Sequence, residues 1–138
     1  MKSILSILLL SSVLFAATPS ASEKLFVVER ESESIAIINK GLTKSHMKNV
    51  HNMNHGIIKF DGKDGYLISR DGYVVRFDPV SEKILNEYKT SKSAIGFVIG
   101  KNYVAVANYD DKSVDILTRD LKPIDKIITG SKCGNKDL

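Results

Sequence analysis

One hairpin is written three times in this chain. Its copies are Phe26-Val27-Val28-Glu29-Arg30 with Ile35-Ala36-Ile37-Ile38, Tyr66-Leu67-Ile68-Ser69-Arg70 with Tyr73-Val74-Val75-Arg76-Phe77, and Val104-Ala105-Val106-Ala107-Asn108 with Val114-Asp115-Ile116-Leu117. Gly56, Gly96 and Gly134 follow at spacings of 40 (96 minus 56) and 38 (134 minus 96), and each is expected to close the loop ahead of a new unit. A period of about 40–45 residues containing several short strands is the pattern of β-propeller blades. The expected fold is therefore all-β, with three four-stranded blades.

The second unit predicts strands at 57–60, 65–70, 73–78 and 83–89, separated by Asp61-Gly62-Lys63-Asp64, Asp71-Gly72 and Pro79-Val80-Ser81-Glu82. Asp-Gly is a strong hairpin signal, because glycine accepts the positive φ that a tight turn demands. The third unit predicts strands at 95–99, 103–108, 114–117 and 123–128. The first unit enters at 25–30, the equivalent of a second strand, and so is expected to lack an inner one. Rings close with about four to eight blades, and an open arc leaves sheet faces and a strand edge exposed. The expectation is the N-terminal part of a longer propeller, partial in this chain, or a fragment that must associate to close.

Ahead of the repeats, an apolar run over residues 3–15 stands behind Lys2 and leads into Ala16-Ala17-Thr18-Pro19-Ser20-Ala21-Ser22. A run this short, ending in small residues, reads as a signal peptide over 1–22 and not as a membrane span. The mature part, 23–138, is then an exported, periplasmic protein with no membrane span after cleavage. The full chain has 20 basic and 16 acidic residues and a net charge of +4; removing Lys2 with the leader leaves 19 and 16, or +3. The charges are interspersed without a basic block, which gives no support to nucleic-acid binding. Cys133 is the sole cysteine, so the chain can form neither an internal disulfide nor a cysteine-based metal cluster, and it has no Cys-x-x-Cys-His run for a c-type haem.

All three histidines, His46, His51 and His55, fall within ten residues. Imidazole is the commonest side-chain metal ligand, and His55 stands at the entry to an inner strand, facing one mouth of the blades. The second strands return to that same mouth and end at Arg30, Arg70 and Asn108-Tyr109. Two guanidiniums beside an imidazole suit an anionic planar ligand, since arginine matches a carboxylate with a fork of donors and also stacks on a π-face. A haem-like macrocycle meets both conditions. Plainer roles stand beside each: His55 as a loop histidine, Arg70-Asp71-Gly72 as a turn, Arg30 paired with Glu29, Glu31 or Glu33, and Tyr109 as packing. With Met47 and Met53 the histidines could instead form a small copper or zinc site, although their spacing matches no standard zinc pattern. Cys133 takes the place of His55 two blades later, as a ligand or simply as a small residue.

His55-Gly56-Ile57-Ile58-Lys59-Phe60 followed by Gly65-Tyr66-Leu67-Ile68-Ser69-Arg70-Asp71-Gly72 resembles the cytochrome d1 haem-binding propeller family, as do Val27-Val28-Glu29-Arg30 and Val104-Ala105-Val106-Ala107-Asn108-Tyr109. The resemblance covers nearly all of residues 25–130. It implies an eight-bladed parent propeller, His55 as the iron ligand of d1 haem or a tetrapyrrole precursor, and a contact role for Arg30 and Arg70 at the macrocycle. The signal leads straight into the first blade with no c-haem domain between, which favours the NirF-type biosynthetic branch.

The first reading is thus a periplasmic d1-haem (or precursor) binding protein acting in d1-haem biosynthesis or maturation for denitrification. Its partners would be the tetrapyrrole and other maturation proteins or nitrite reductase. A second reading is a fragment of the d1 domain of a cytochrome cd1 nitrite reductase, and a third is a non-haem exported propeller scaffold. Whether the chain is an enzyme stays open among them.

Overall fold

The computed structural model describes residues 24–40 and 44–130. The leader expected over 1–22, Cys133 and Gly134 lie outside the described residues. Within them the chain forms strands only, joined into three separate antiparallel sheets. The first sheet has the order β1 (Leu25–Glu29), β2 (Ser34–Ile38), β3 (Lys44–Lys48). The second runs β4 (Ile57–Phe60), β5 (Gly65–Ile68), β6 (Tyr73–Asp78), β7 (Lys83–Lys89), and the third β8 (Ala94–Ile99), β9 (Tyr103–Asn108), β10 (Ser113–Thr118), β11 (Pro123–Ile128). These are propeller blades, each a meander in which successive strands pair, and among the described residues the first has no counterpart of the inner strands β4 and β8.

Alternation of side chains along the strands explains why the sheets stack. In the second blade, Tyr66, Ile68 and Val74 point to one face and join Phe97, Val104, Val106 and Leu117 of the third blade. Leu67, Val75 and Phe77 point to the other face and join Ile35, Ile37 and Met47 of the first. Every residue of β5 is buried, as expected of a strand covered on both sides. Each such aliphatic or aromatic side chain contributes about 1.5–3 kcal/mol on leaving water. We call the face that looks toward the preceding blade leading and the other trailing.

Polar contacts bridge the same junctions. Between the first two blades, Lys24 Nζ donates to Glu82 Oε1 (2.7 Å) and Ser45 Oγ to Glu82 Oε2 (2.7 Å). Between the second and third, Tyr66 Oη donates to the Arg119 carbonyl (3.1 Å), Arg119 pairs with Asp61, and Arg76 bridges Asp64 (2.7 Å) and Asp120.

Two expectations need correction. The second strand of the middle blade stops at Ile68, so Ser69 and Arg70 belong to the turn. Gly96 closes no loop: it lies inside β8, where the register with β9 shifts between Ala94 and Gly96. The strand begins earlier than its glycine suggests because Ala94 already pairs with Asn108, and a bulge absorbs the extra residue.

Gly65 pairs directly with Phe77, and a Cβ there would run into the Phe77 ring, whereas a Cβ on Gly96 would meet nothing within 4 Å. Gly65→Ala is therefore expected to lose about 1–3 kcal/mol by overpacking, and Gly96→Ala to stay within about 0.5 kcal/mol of wild type. Urea midpoints check this; equal losses at both positions would refute the packing account.

Candidate functional site

The end of the blades at which the second strands finish carries three equivalent turns, at residues 30–33, 70–72 and 109–112. It also carries the two connections that lead from one blade to the next. The last residue of each turn has a positive φ: Glu33 (49°), Gly72 (84°) and Lys112 (52°). At Gly72 a Cβ would also strike the Ser91 carbonyl of the connection. Its own carbonyl accepts from Thr90 N and from Thr90 Oγ1, both at 2.9 Å. Glycine is needed there for close approach as well as for φ.

The last or following residue of each second strand fastens its hairpin. Glu29 accepts from Ser32 Oγ (3.2 Å) and from Ser34 Oγ. The Ser69 hydroxyl accepts from Tyr73 N (3.0 Å). Asn108 Nδ2 donates to Ser113 Oγ (3.0 Å) and Asp115 Oδ2 (2.6 Å), while its buried Oδ1 has no partner among the described residues. Ser113 Oγ in turn donates to Asp111 Oδ1 (2.5 Å), and Lys126 Nζ reaches Asp111 Oδ2 at 2.9 Å. Asn108, expected at the ligand, is thus 5% exposed and has its amide N–H groups committed to the hairpin.

A second set of contacts ties the hairpins to the connections. Asn52 N donates to Asp71 Oδ1 (3.2 Å) and Arg70 N to the Asn52 carbonyl (2.8 Å). One blade on, Ser91 Oγ and Lys92 N donate to the two oxygens of Asp110 (2.7 and 3.1 Å), and Tyr109 N to the Ser93 carbonyl (2.9 Å). Sequence reasoning missed Asp71 and Asp110 as clamps. Their signal was present, since each directly follows the residue singled out in its repeat.

The clamps leave one side chain per hairpin without a task. Arg30, Arg70 and Tyr109 occupy the same position in the three blades, are exposed, and make no side-chain hydrogen bond or ion pair with any described residue. Arg30 does not pair with its glutamate neighbours; His46 takes Glu29 instead, at 3.5 Å. His55 is likewise exposed and uncommitted, with φ of 64°, and it precedes β4, whose first residue Ile57 pairs with Ile68 two positions before Arg70. The other histidines are engaged elsewhere. His51 stacks on Tyr73 with centroids 3.6 Å apart and its Nε2 lies 3.0 Å from Glu87 Oε2, while Lys89 Nζ sits 4.3 Å from the Tyr73 centroid. Met53, far from being a ligand, is fully buried between the first two blades. Among the described residues no group of three His, Cys, Asp or Glu side chains is arranged to hold a metal ion. The histidine cluster of the sequence is dispersed onto separate partners, which leaves His55 as the one imidazole at this end open to a ligand.

The carboxylates of this end are held as anions. Ser34, then His46, draws the Glu29 carboxyl below its ordinary value; Ser91 does so for Asp110, and Ser113 followed by Lys126 for Asp111. The carboxylates next to Arg30 and Tyr109 thus remain charged at neutral pH.

The family model described as Cytochrome D1 heme domain matches residues 20–137. No curated protein sequence matches the chain. Among solved structures, the chain is similar to one described as dihydro-heme d1 dehydrogenase NirN in complex with DHE, with 26% identity and a TM-score of 0.73, covering 91% of this chain and 28% of that one. It also shares its fold with AztD from Citrobacter koseri (12% identity, TM-score 0.61), covering 73% of this chain and 31% of that one. The chain therefore spans under a third of the length of these two similar structures.

Because the carboxyl pKa values at the hairpins are lowered in the folded chain, their stabilisation is complete above the ordinary carboxylate range and is lost as pH falls through the lowered values. The urea midpoint is expected to be flat above about pH 5 and to fall below it. Asp110→Asn should lower the neutral-pH midpoint and flatten the acid limb; acid limbs parallel to wild type would show that Asp110 carries none of this linkage.

Proposed function

The chain belongs to the cytochrome D1 heme domain family, and on that premise we propose that it binds d1 haem, or a tetrapyrrole precursor of it, at the end of the blades where Arg30, His55, Arg70 and Tyr109 stand. The observation that carries this reading is the contrast at that end. Hairpin and connection polar groups are tied to one another, yet two guanidiniums and a phenol at repeating positions, with the His55 imidazole, are exposed and have no side-chain partner among the described residues. Such a donor set fits a macrocycle with peripheral carboxylates and an axial vacancy.

In this reading His55 offers a ring nitrogen to the iron, and Arg30 and Arg70 grip carboxylates as bidentate donors. Tyr109 lies against the ring or its substituents, as a flat side chain with a polar tip does well. Asn108 acts one step back, by fixing the hairpin that presents Tyr109. The bound group would supply a redox-active iron whose properties the axial ligand tunes.

We infer further that the protein is exported to the periplasm and serves the making or maturation of d1 haem. Its partners would be other maturation proteins or the nitrite reductase that receives the cofactor. The likeness to a d1-haem dehydrogenase structure supports a tetrapyrrole as the ligand class. Export rests on the apolar run and small residues ahead of the first blade.

An absorbance titration of the folded chain with d1 haem tests the proposal. Saturable binding with a shifted Soret band is expected, the shift being abolished in His55→Ala. Arg30→Ala and Arg70→Ala should each weaken binding roughly 10- to 100-fold, as loss of a charge-assisted hydrogen bond of about 1.5–3 kcal/mol requires. Failure of the folded wild-type chain to bind, or an unchanged Soret shift in His55→Ala, would sink the ligand or the axial assignment respectively.

A further inference from the structure

The two steps from one blade to the next are made with different lengths of chain. Residues 49–56 lead from β3 to β4, whereas residues 90–93, half as many, lead from β7 to β8. Both steps are fastened alike: Tyr109 N donates to the Ser93 carbonyl (2.9 Å) and Arg70 N to the Asn52 carbonyl (2.8 Å). From Ser93 the chain enters its strand at the next residue, Ala94. From Asn52 it first makes a turn, Met53-Asn54-His55-Gly56, closed by Gly56 N donating to the Met53 carbonyl at 2.8 Å, and enters β4 at Ile57. The turn is therefore an addition that passage between blades does not require, and it carries the uncommitted His55.

The residues around that histidine are fixed. Met53 is fully buried in the cluster that holds Leu67, Val75 and Phe77 of the second blade's leading face, and its methyl crosses Gly56 so closely that a Cβ there would lie 2.5 Å from it. Asn52 Oδ1 accepts from Asn54 N at 3.0 Å. Upstream, Val50 is fully buried and His51 is stacked on Tyr73. His55 itself takes a φ of 64° at the third position of its turn, a place where glycine or asparagine is usual because a Cβ is crowded at positive φ. Glu33, Glu82, Lys112 and Leu121 also have positive φ, but in turns between paired strands of one blade. His55 takes it in a turn that the fold can omit, and conformations held against local preference cluster where a side chain is put to use.

We propose that this turn is a preset mount for the His55 imidazole and that Asn52 is its positioning residue, an inference that rests on His55 being the axial donor to the bound macrocycle. Asn52 acts through two sets of atoms. Its backbone is clamped between Arg70 N and Asp71 Oδ1, and its side chain holds the Asn54 N–H. One residue thus ties the histidine's turn to the hairpin that presents Arg70, so the donor to the iron and the donor to a carboxylate belong to one fastened unit before a ligand arrives. With the Cα–Cβ direction of His55 set by the fold, little ordering is left to binding.

Urea midpoints and absorbance titration with d1 haem, both on the full chain, test this. His55→Gly and His55→Ala each remove the imidazole, but only glycine takes a φ of 64° freely, so His55→Gly should have a higher urea midpoint than either wild type or His55→Ala. Asn52→Ala removes the acceptor for Asn54 N and leaves the backbone clamps in place. It should weaken d1-haem binding roughly three- to tenfold, the size of one neutral hydrogen bond, with the Soret band at saturation where wild type has it and the urea midpoint nearly unchanged. Asn52→Ser, whose hydroxyl still accepts from a backbone N–H two residues on, should recover most of that loss. A His55→Gly midpoint no higher than that of His55→Ala shows a relaxed turn and overturns the mount while leaving ligation standing. Wild-type affinity in Asn52→Ala, or a loss that Asn52→Ser does not recover, overturns the positioning role. A folded wild type that takes up no d1 haem removes the axial role of His55 and the mount with it, whatever the midpoints show.

Discussion

Burial of the middle sheet on both sides is the constraint from which the rest follows. An antiparallel strand in water can afford one polar face, but β5 is closed to solvent along its whole length, so neither neighbour can be removed without exposing Tyr66 and Ile68 or Leu67. The blade is accordingly not a folding unit by itself, and the stability of each sheet is a property of the junctions between sheets. Arg76 and Arg119 reach carboxylates across the junction of the second and third blades, beside the apolar faces that meet there.

At the blade ends, the polar residues divide into two populations. Glu29, Ser69, Asn108, Asp71 and Asp110 are all engaged by backbone groups or by neighbouring side chains. Arg30, Arg70, Tyr109 and His55 are consumed by nothing among the described residues. Rigid turns with uncommitted tips are what a binding surface needs, because little further ordering is required when a ligand arrives. A surface loop with the same composition but no clamps would lose more entropy on binding than its arginines could recover.

Most of the fold could be read in the chain because its signals are local. Asp71-Gly72 marks its hairpin, the apolar-rich run Tyr73–Asp78 marks the strand after it, and the forty-residue period says how many such units to expect. What stayed hidden was long-range or irregular. The bulge at Gly96 depends on the pairing of Ala94 with Asn108, fourteen residues away (108 minus 94), and no local pattern encodes it. Asn108 looked like a ligand residue because its partners, Ser113 and Asp115, come from the next strand. The three histidines looked like one cluster because they are close in sequence, but His51 answers to Tyr73 and Glu87 on the following blade. The positions of Arg30, Arg70 and Tyr109 were legible from the period, whereas their freedom from partners was visible only once the clamps around them were known.

The clamps act through backbone groups and through the residue after the exposed position, so the exposed position itself is uncoupled from folding. Its occupant has already changed from arginine to tyrosine between repeats of one chain, with the same Arg70 N and Tyr109 N contacts kept beneath. A lineage built on this frame can therefore exchange what its rim presents one codon at a time, each trial leaving the architecture untouched. The scaffold is conservative and its rim is an alphabet.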